Sequence, residues 1–277
     1  MKLESLIDQP GKLPVIPKVV QKLMESFGND NISATDIAQQ IAADPALSAK
    51  LLRLANSAYF HVSRTVGTVD DALRMLGFVM VRNLVLGNGM AKAFPKVPGI
   101  DLPQFWRYNL YTACTARWLA NEAGQAGVSG DTVFTLGMMH GIGQLQIHVV
   151  MPYAMPAIKP QVHVLAAERA ALETREFGFH YADVSAELAQ LWNFPAPLVS
   201  ALRRIPAPLA AGDFSAAAAL VHLAAWRARS EVLEMSADEI AAGYPLAVAQ
   251  RLEIEGDWAE RMPALPELTA GLAEMLE

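Results

Sequence analysis

ADPALSAKLLRLANSAYF, residues 43–60, is the stretch that decides the fold. An aspartate in the position of Asp44 accepts the unpaired N–H groups of a first helical turn, and Pro45 fits the first helical place because the N–H it lacks has no partner there anyway. Leu47, Leu51, Leu54 and Ala55 then recur at spacings of four, three and one, while Lys50 and Arg53 lie off that stripe. The pattern predicts a helix with one apolar face.

The same grammar extends in both directions. Upstream, Ser33 is placed to cap SATDIAQQIAAD, with Asp36 in the capping-box position and Ile37 and Ile41 one turn apart. Downstream, Thr68 with Asp70 and Asp71 opens a helix that Gly77 is placed to close as a left-handed cap. Further helices are predicted over 78–94, 105–123, a glycine-interrupted 129–151, an amphipathic 162–177 with Glu168, Arg169, Glu173, Arg175 and Glu176 on its polar side, 180–192, 195–204 and 214–229. Two or three short helices follow from Ser236, broken at Pro245, Pro263 and Pro266. No segment alternates β-branched and aromatic residues as a strand does. The predicted class is all-α, a single compact multi-helix domain with two packed lobes. Residues 1–12 read as an N-terminal segment, 13–230 as the domain, and 231–277 as a helical extension packed on it.

Composition narrows the class further. Of 277 residues, 53% are apolar and 18% charged, the reverse of a disordered chain. The net charge of −6 carries no basic stripe of the kind phosphate binding requires, so nucleic acid is not an expected partner. Arg203, Arg204, Arg227 and Arg229 read as a solvated face. The lone cysteine, Cys114, sits in an apolar helical pattern and reads as a buried, inert thiol. The start of the chain has no apolar signal region. Residues 132–158 carry no charge but include three glycines, two histidines and two prolines, which argues against a membrane span. A cytoplasmic protein without a membrane partner is expected.

The chemistry concentrates in GMMHGIGQLQIH, residues 137–148. Three glycines within seven residues imply a bend or a close backbone approach, because glycine inside a helix costs about 1 kcal/mol against alanine. His140 lies among them. A metal site needs three or four converging ligands. The remaining histidines, His61, His148, His163, His180 and His222, are scattered, and none has the H-E-x-x-H spacing. His140 therefore reads first as a core histidine bonded to backbone, His222 likewise, and His180 as a helix cap beside Asp183.

At this point several blocks resemble a known family. LPVIPKVVQKLMES (13–26), ADPALSAKLLRLANSAYF (43–60), TVDDALRMLG (68–77) and GMMHGIGQLQI (137–147) are similar to the HDOD domain, the HD-related output domain. This is a divergent branch of the HD phosphohydrolase superfamily found in bacterial signalling proteins. Glu168, FGFHYADVSAELAQLWNFP (177–195) and ALVHLAAW (219–226) extend the resemblance over about 13–230. It implies an HD-like helical core.

The resemblance also defines what is missing. The superfamily's hydrolases hold metal with a first His, an adjacent His-Asp pair and a later Asp. His140 matches the pair's His, but Gly141 stands where its Asp belongs. The first His falls at or beside Tyr108-Asn109, and the later Asp near Ala225. Relatives often carry a His-His pair after the W-x-x-P block, where this chain has Arg203-Arg204. The expectation is no metal, no cofactor and no catalytic residue. The chain then acts as a non-catalytic output module whose partners are other signalling proteins, or a second copy of itself as a homodimer. Two alternatives stay open. One is a sensor of a nucleotide or other small ligand in a vestigial pocket formed by Tyr108, Asn109, His140, Gly141, Arg203 and Arg204. The other is residual phosphohydrolysis by His140 with Glu122, Asp131 and His148.

Overall fold

The computed structural model describes residues 2–9, 11–25, 34–57, 65–123, 127–155, 162–210, 212–254, 256–269 and 272, and no strand occurs among them. The helices are α1 (Leu3–Ile7), α2 (Lys18–Glu25), α3 (Ala34–Ala42), α4 (Pro45–Ala55), α5 (Val69–Leu76), α6 (Phe78–Ala93), α7 (Leu102–Ala123), α8 (Gly130–Met139), α9 (Ile142–Val150), α10 (Arg169–Phe177), α11 (Tyr181–Leu191), α12 (Ala196–Arg204) and α13 (Ala216–Val232). Four short helices follow: α14 (Ala237–Ala242), α15 (Leu246–Arg251), α16 (Trp258–Arg261) and α17 (Leu265–Leu268). None of the described helices is long and apolar enough to cross a membrane.

Helix α4 forms as its sequence dictates. The Asp44 carboxylate accepts from the Leu47 N–H at 3.0 Å with Pro45 in the first turn, and Leu47, Leu51, Leu54 and Ala55 are all buried. Burying each leucine side chain contributes about 1.5–3 kcal/mol. Asn56 ends the helix in an exposed position, and its amide pairs as a second backbone would. Nδ2 donates to the Leu52 and Val66 carbonyls, and Oδ1 accepts from the Val66 N–H. Thr68 caps α5 through the Asp71 N–H. The expected Ser33 cap and His61 lie outside the described residues. Gly77 has φ 81° but ψ 148°, so it is not a left-handed cap. That region of backbone space belongs essentially to glycine, and it lets one residue end α5 and start α6.

Two boundaries moved for identifiable reasons. Helix α7 starts at Leu102 rather than at 105, because the Asp101 carboxylate accepts from the Gln104 N–H at 2.9 Å and Pro103 needs no partner in the first turn. The amphipathic helix expected over 162–177 forms only from Arg169. Upstream, arginines take the carbonyls that a helix would use. Arg229 donates to the Leu165 carbonyl at 2.5 Å and Arg169 to that of Val162 at 3.5 Å.

Helices α2 to α6 pack on one another, and α7 lies at the centre of the remainder, against α8 and α13, with α9 against α11. Contacts of α6 with α8 join the two groups, α1 packs on α11, and one continuous cluster of buried apolar side chains runs through both groups. Past α13, the buried Trp258 ring stands 6.5 Å from Trp118 and 5.8 Å from Trp226, fastening that segment to α7 and α13.

Candidate functional site

The break between α8 and α9 builds the centre of the site. His140 ends α8, and Gln144 donates to the Gly141 carbonyl, so the His140 carbonyl has no helical partner. Ser185 of α11 resolves both loose ends: its hydroxyl donates to the His140 carbonyl at 3.0 Å and accepts from the Gly143 N–H at 2.9 Å. The three glycines are close approaches, as their spacing implies. A Cβ at Gly143 would collide with the Tyr181 carbonyl and the Ser185 nitrogen, and one at Gly137 with the Ala113 backbone. A Cβ at Gly141 would sit 3.1 Å from both Asn109 Oδ1 and the Phe105 ring.

His140 is buried. Its Nδ1 lies 2.6 Å from the Gly137 carbonyl, which assigns the proton to Nδ1 and leaves Nε2 a bare acceptor. Nε2 has no hydrogen-bond partner among the described residues. Burial pulls this histidine down to about 4, opposed by the Gly137 carbonyl and helped by the positive charge of Arg229, so the ring is neutral. His222 follows the same pattern, with Nδ1 2.8 Å from the Ile205 carbonyl and its pKa lowered chiefly by burial.

Three further elements complete the surroundings. Helix α7 presents Tyr108, whose ring packs edge-on to His140 at 5.1 Å. It also presents Asn109, whose Nδ2 donates to the Phe105 carbonyl while Oδ1 is buried without a partner. Helix α13 carries His222, Ala225 and Arg229 at i, i+3 and i+7, hence on one face. Arg229 Nη2 reaches the Tyr108 hydroxyl at 3.5 Å. Burial raises Tyr181 at the start of α11, with Tyr108 next as a cause and Arg229 opposing.

Next to this lies a buried ion pair. Arg169 Nε and Glu173 Oε1 stand 2.6 Å apart with side-chain exposures of 1% and 0%, although both were expected on the polar face. Arg169 Nη2 lies 3.4 Å from His148 Nε2, and Glu173 Oε2 accepts from the Tyr181 N–H at 2.7 Å. Burial raises the Glu173 carboxyl, while Arg169 and the Tyr181 N–H oppose the shift.

Tyr108, Asn109, His140 and Gly141 are thus brought together, as the sequence implied. Arg203 and Arg204 are not. At the surface end of α12, Arg203 pairs with Glu187 at 2.8 Å and Arg204 donates to the Asp213 carbonyl at 2.6 Å. They line a separate surface cavity of about 540 Å³ with Phe194 and Val199. The set of Glu122, Asp131 and His148 around His140 does not converge either. Asp131 faces Arg117 at 3.7 Å, His148 lies 3.0 Å from the Pro98 carbonyl, and no three His, Cys, Asp or Glu side chains form a cluster that could hold one ion among the described residues. Arg229 was read as solvated and instead turns inward. The available signal was its place on the His222 face of an alanine-rich helix.

Comparison with known proteins agrees with this architecture. The chain is 26% identical over 203 residues to an uncharacterized protein of Treponema pallidum (strain Nichols), covering 72% of this chain and 38% of that protein, so it spans well under half the length of that relative. It is similar to a crystal structure of a Shewanella amazonensis SB2B protein provisionally named a phosphohydrolase, at 28% identity and a TM-score of 0.75, covering 98% of this chain and 96% of that one. An HDOD domain protein of unknown function from Geobacter sulfurreducens shares the fold at 18% identity and a TM-score of 0.73, covering 96% of each chain. The HDOD domain family model matches residues 13–208, ending before ALVHLAAW at 219–226, and the chain belongs to the HDOD domain family.

Proposed function

We propose that this chain is a non-catalytic output module of bacterial signalling that acts through protein contacts. The observation that carries this reading is the donor set at the positions where the superfamily's hydrolases hold metal. The side chains there offer His140 Nε2 and Asn109 Oδ1, while Gly141 and Ala225 contribute no ligand atom. A divalent ion needs three or four converging ligands to compete with water. An aspartate at 141 would press against Asn109 Oδ1 and Phe105, and the Arg229 cation beside Tyr108 would repel a divalent ion. These residues do not fit a metal, and without one nothing generates a hydroxide nucleophile.

A contact surface is available elsewhere. Val15 and Tyr153 are 84% and 96% exposed. Their segments are tied together by Lys12, whose Nζ donates to the Val150 carbonyl and whose own carbonyl accepts from Gln146. Large apolar side chains this exposed on neighbouring segments suit a protein partner.

The test is hydrolysis of a generic phosphodiester by the purified chain with manganese, iron or magnesium, alongside His140→Ala. The expected result is no turnover that depends on His140. Metal-dependent turnover abolished by His140→Ala would overturn the reading. In capture from cell extract, Val15→Asp with Tyr153→Asp is expected to reduce recovery of partner proteins.

A further inference from the structure

Helix α7 has a second face. Tyr108 and Asn109 meet the break between α8 and α9, while Leu102, Trp106 and Leu110 follow one another at single turns on another side of the helix. Together with Phe94, just past α6, they wall a cavity of about 570 Å³ whose lining also includes Arg107 and Tyr111. That is the size of a small-molecule site. Its walls are fixed by bonds of their own. The loop between α6 and α7 is held where His148 Nδ1 lies 3.0 Å from the Pro98 carbonyl, and Thr269, also on the lining, donates its hydroxyl to the Leu265 carbonyl at 2.9 Å.

Several polar groups on this lining are donors without acceptors. Trp106 is 5% exposed, yet its indole N–H makes no hydrogen bond to a described residue and is not sealed off from the cavity. A buried indole N–H ordinarily finds an acceptor. Arg107 is exposed at the edge and forms no ion pair among the described residues, and the Tyr111 hydroxyl one turn further has no hydrogen-bond partner among them. The carboxylates nearby are already engaged. Asp101 accepts the Gln104 N–H at 2.9 Å and lies roughly 9 Å along the helix axis from Arg107, and Glu231, which acts on Tyr111, pairs with Arg227 at 3.1 Å.

These groups specify the ligand. Phe94, Leu102 and Leu110 gain by covering an apolar body. The indole N–H and the guanidinium call for acceptor oxygens, and a single arginine fork matches one planar carboxylate. One free cation with Asp101 on the same lining suits a monoanion and does not balance a dianion.

We propose that this cavity binds an apolar carboxylic acid as its carboxylate, with the body against Phe94, Leu102 and Leu110 and the head group on Arg107 and the Trp106 N–H. The site lies on a different face of α7 from the one that meets His140. It is independent of the output reading, since a module that binds no acid still docks on its partner.

The test is isothermal titration calorimetry of the full chain at neutral pH with phenylbutyrate, octanoate, the primary amide of each, and acetate. The better of the two acids is expected to bind at least about tenfold more tightly than its own amide and than acetate. A tighter phenylbutyrate would identify an aromatic body, and a tighter octanoate an acyl chain. Arg107→Gln is expected to lower the acid to the level of its amide while leaving the amide unchanged. Trp106→Phe, which keeps an aromatic wall, is expected to weaken the acid about tenfold. If Trp106→Phe fails to fold by circular dichroism, Arg107→Gln, an exposed position, decides the matter. Arg203→Gln, at the other surface cavity, leaves binding unchanged. Absence of binding by either acid, equal affinity for acid and amide, acid affinity untouched by Arg107→Gln, or loss of binding in Arg203→Gln would each overturn the proposal.

Discussion

Arg169 Nε and Glu173 Oε1 stand 2.6 Å apart, one helical turn from each other, with both side chains sealed from solvent. The pair does more than cancel charge. Glu173 Oε2 accepts the Tyr181 N–H at 2.7 Å, so it holds the start of α11, the helix whose Ser185 staples the His140 break. Removing Arg169 strands a buried carboxylate. Arg169→Ala is therefore expected to cost about 3–5 kcal/mol in chemical denaturation, whereas Glu173→Gln, which keeps an acceptor for Tyr181, costs less. Equal losses for the two would show that α11 does not depend on this pair.

Acid should destabilise the fold through His140. Its pKa is pulled from 6.5 in the free side chain to about 4 in the folded chain, so the unfolded state binds more protons between those values. Stability is complete above the unfolded value and is lost as pH falls through this window, by about 3 kcal/mol for this one group. His180 and His222 shift in the same direction. Denaturation midpoints measured from pH 7 to pH 4 should fall more steeply for the native chain than for His140→Phe, and the difference isolates His140.

The glycines around His140 should differ in tolerance. Gly143→Ala and Gly137→Ala place a methyl against backbone, which cannot retreat without moving a helix, and each is expected to cost about 1–3 kcal/mol or more. At Gly141 the neighbours are the side chains of Asn109 and Phe105 at 3.1 Å, so Gly141→Ala should cost less than either. Thermal unfolding of the three variants orders them.

Restoring the missing acid should not restore a metal. Gly141→Asp adds a carboxylate to His140 Nε2 and Asn109 Oδ1 in a crowded place, still lacks the second carboxylate at Ala225, and has Arg229 nearby. Elemental analysis of this variant should find no stoichiometric manganese, iron or zinc. A chelator should leave the melting temperature of the native chain unchanged.

Cys114 should be silent until the chain unfolds. It is buried and its thiol is pushed up to about 12 by burial, against the opposing charge of Arg117. Reaction with a disulfide reagent is expected to be negligible in the native state and complete in denaturant.

The sequence alone was sufficient for the class and for much of the site. Asp44-Pro45, Thr68 and His180 with Asp183 act locally, through caps that reach two or three residues, so they are legible without a fold. The glycines at 137, 141 and 143 announced a close approach for the same reason, since a missing Cβ is a local fact. Tertiary structure decided which charges turn inward. Arg169, Glu173 and Arg229 sit in stretches that read as solvated faces; partners 21 to 121 residues distant in the chain, His148, Leu165 and Tyr108, draw the two arginines in, and Glu173 follows Arg169. Arg203 and Arg204, offered by the sequence as pocket residues, find Glu187 and the Asp213 carbonyl at the surface instead. Periodicity records which face of a helix is apolar. Whether a charge on its edge meets water or a buried partner depends on which other helix packs there, and that is a property of the assembled bundle.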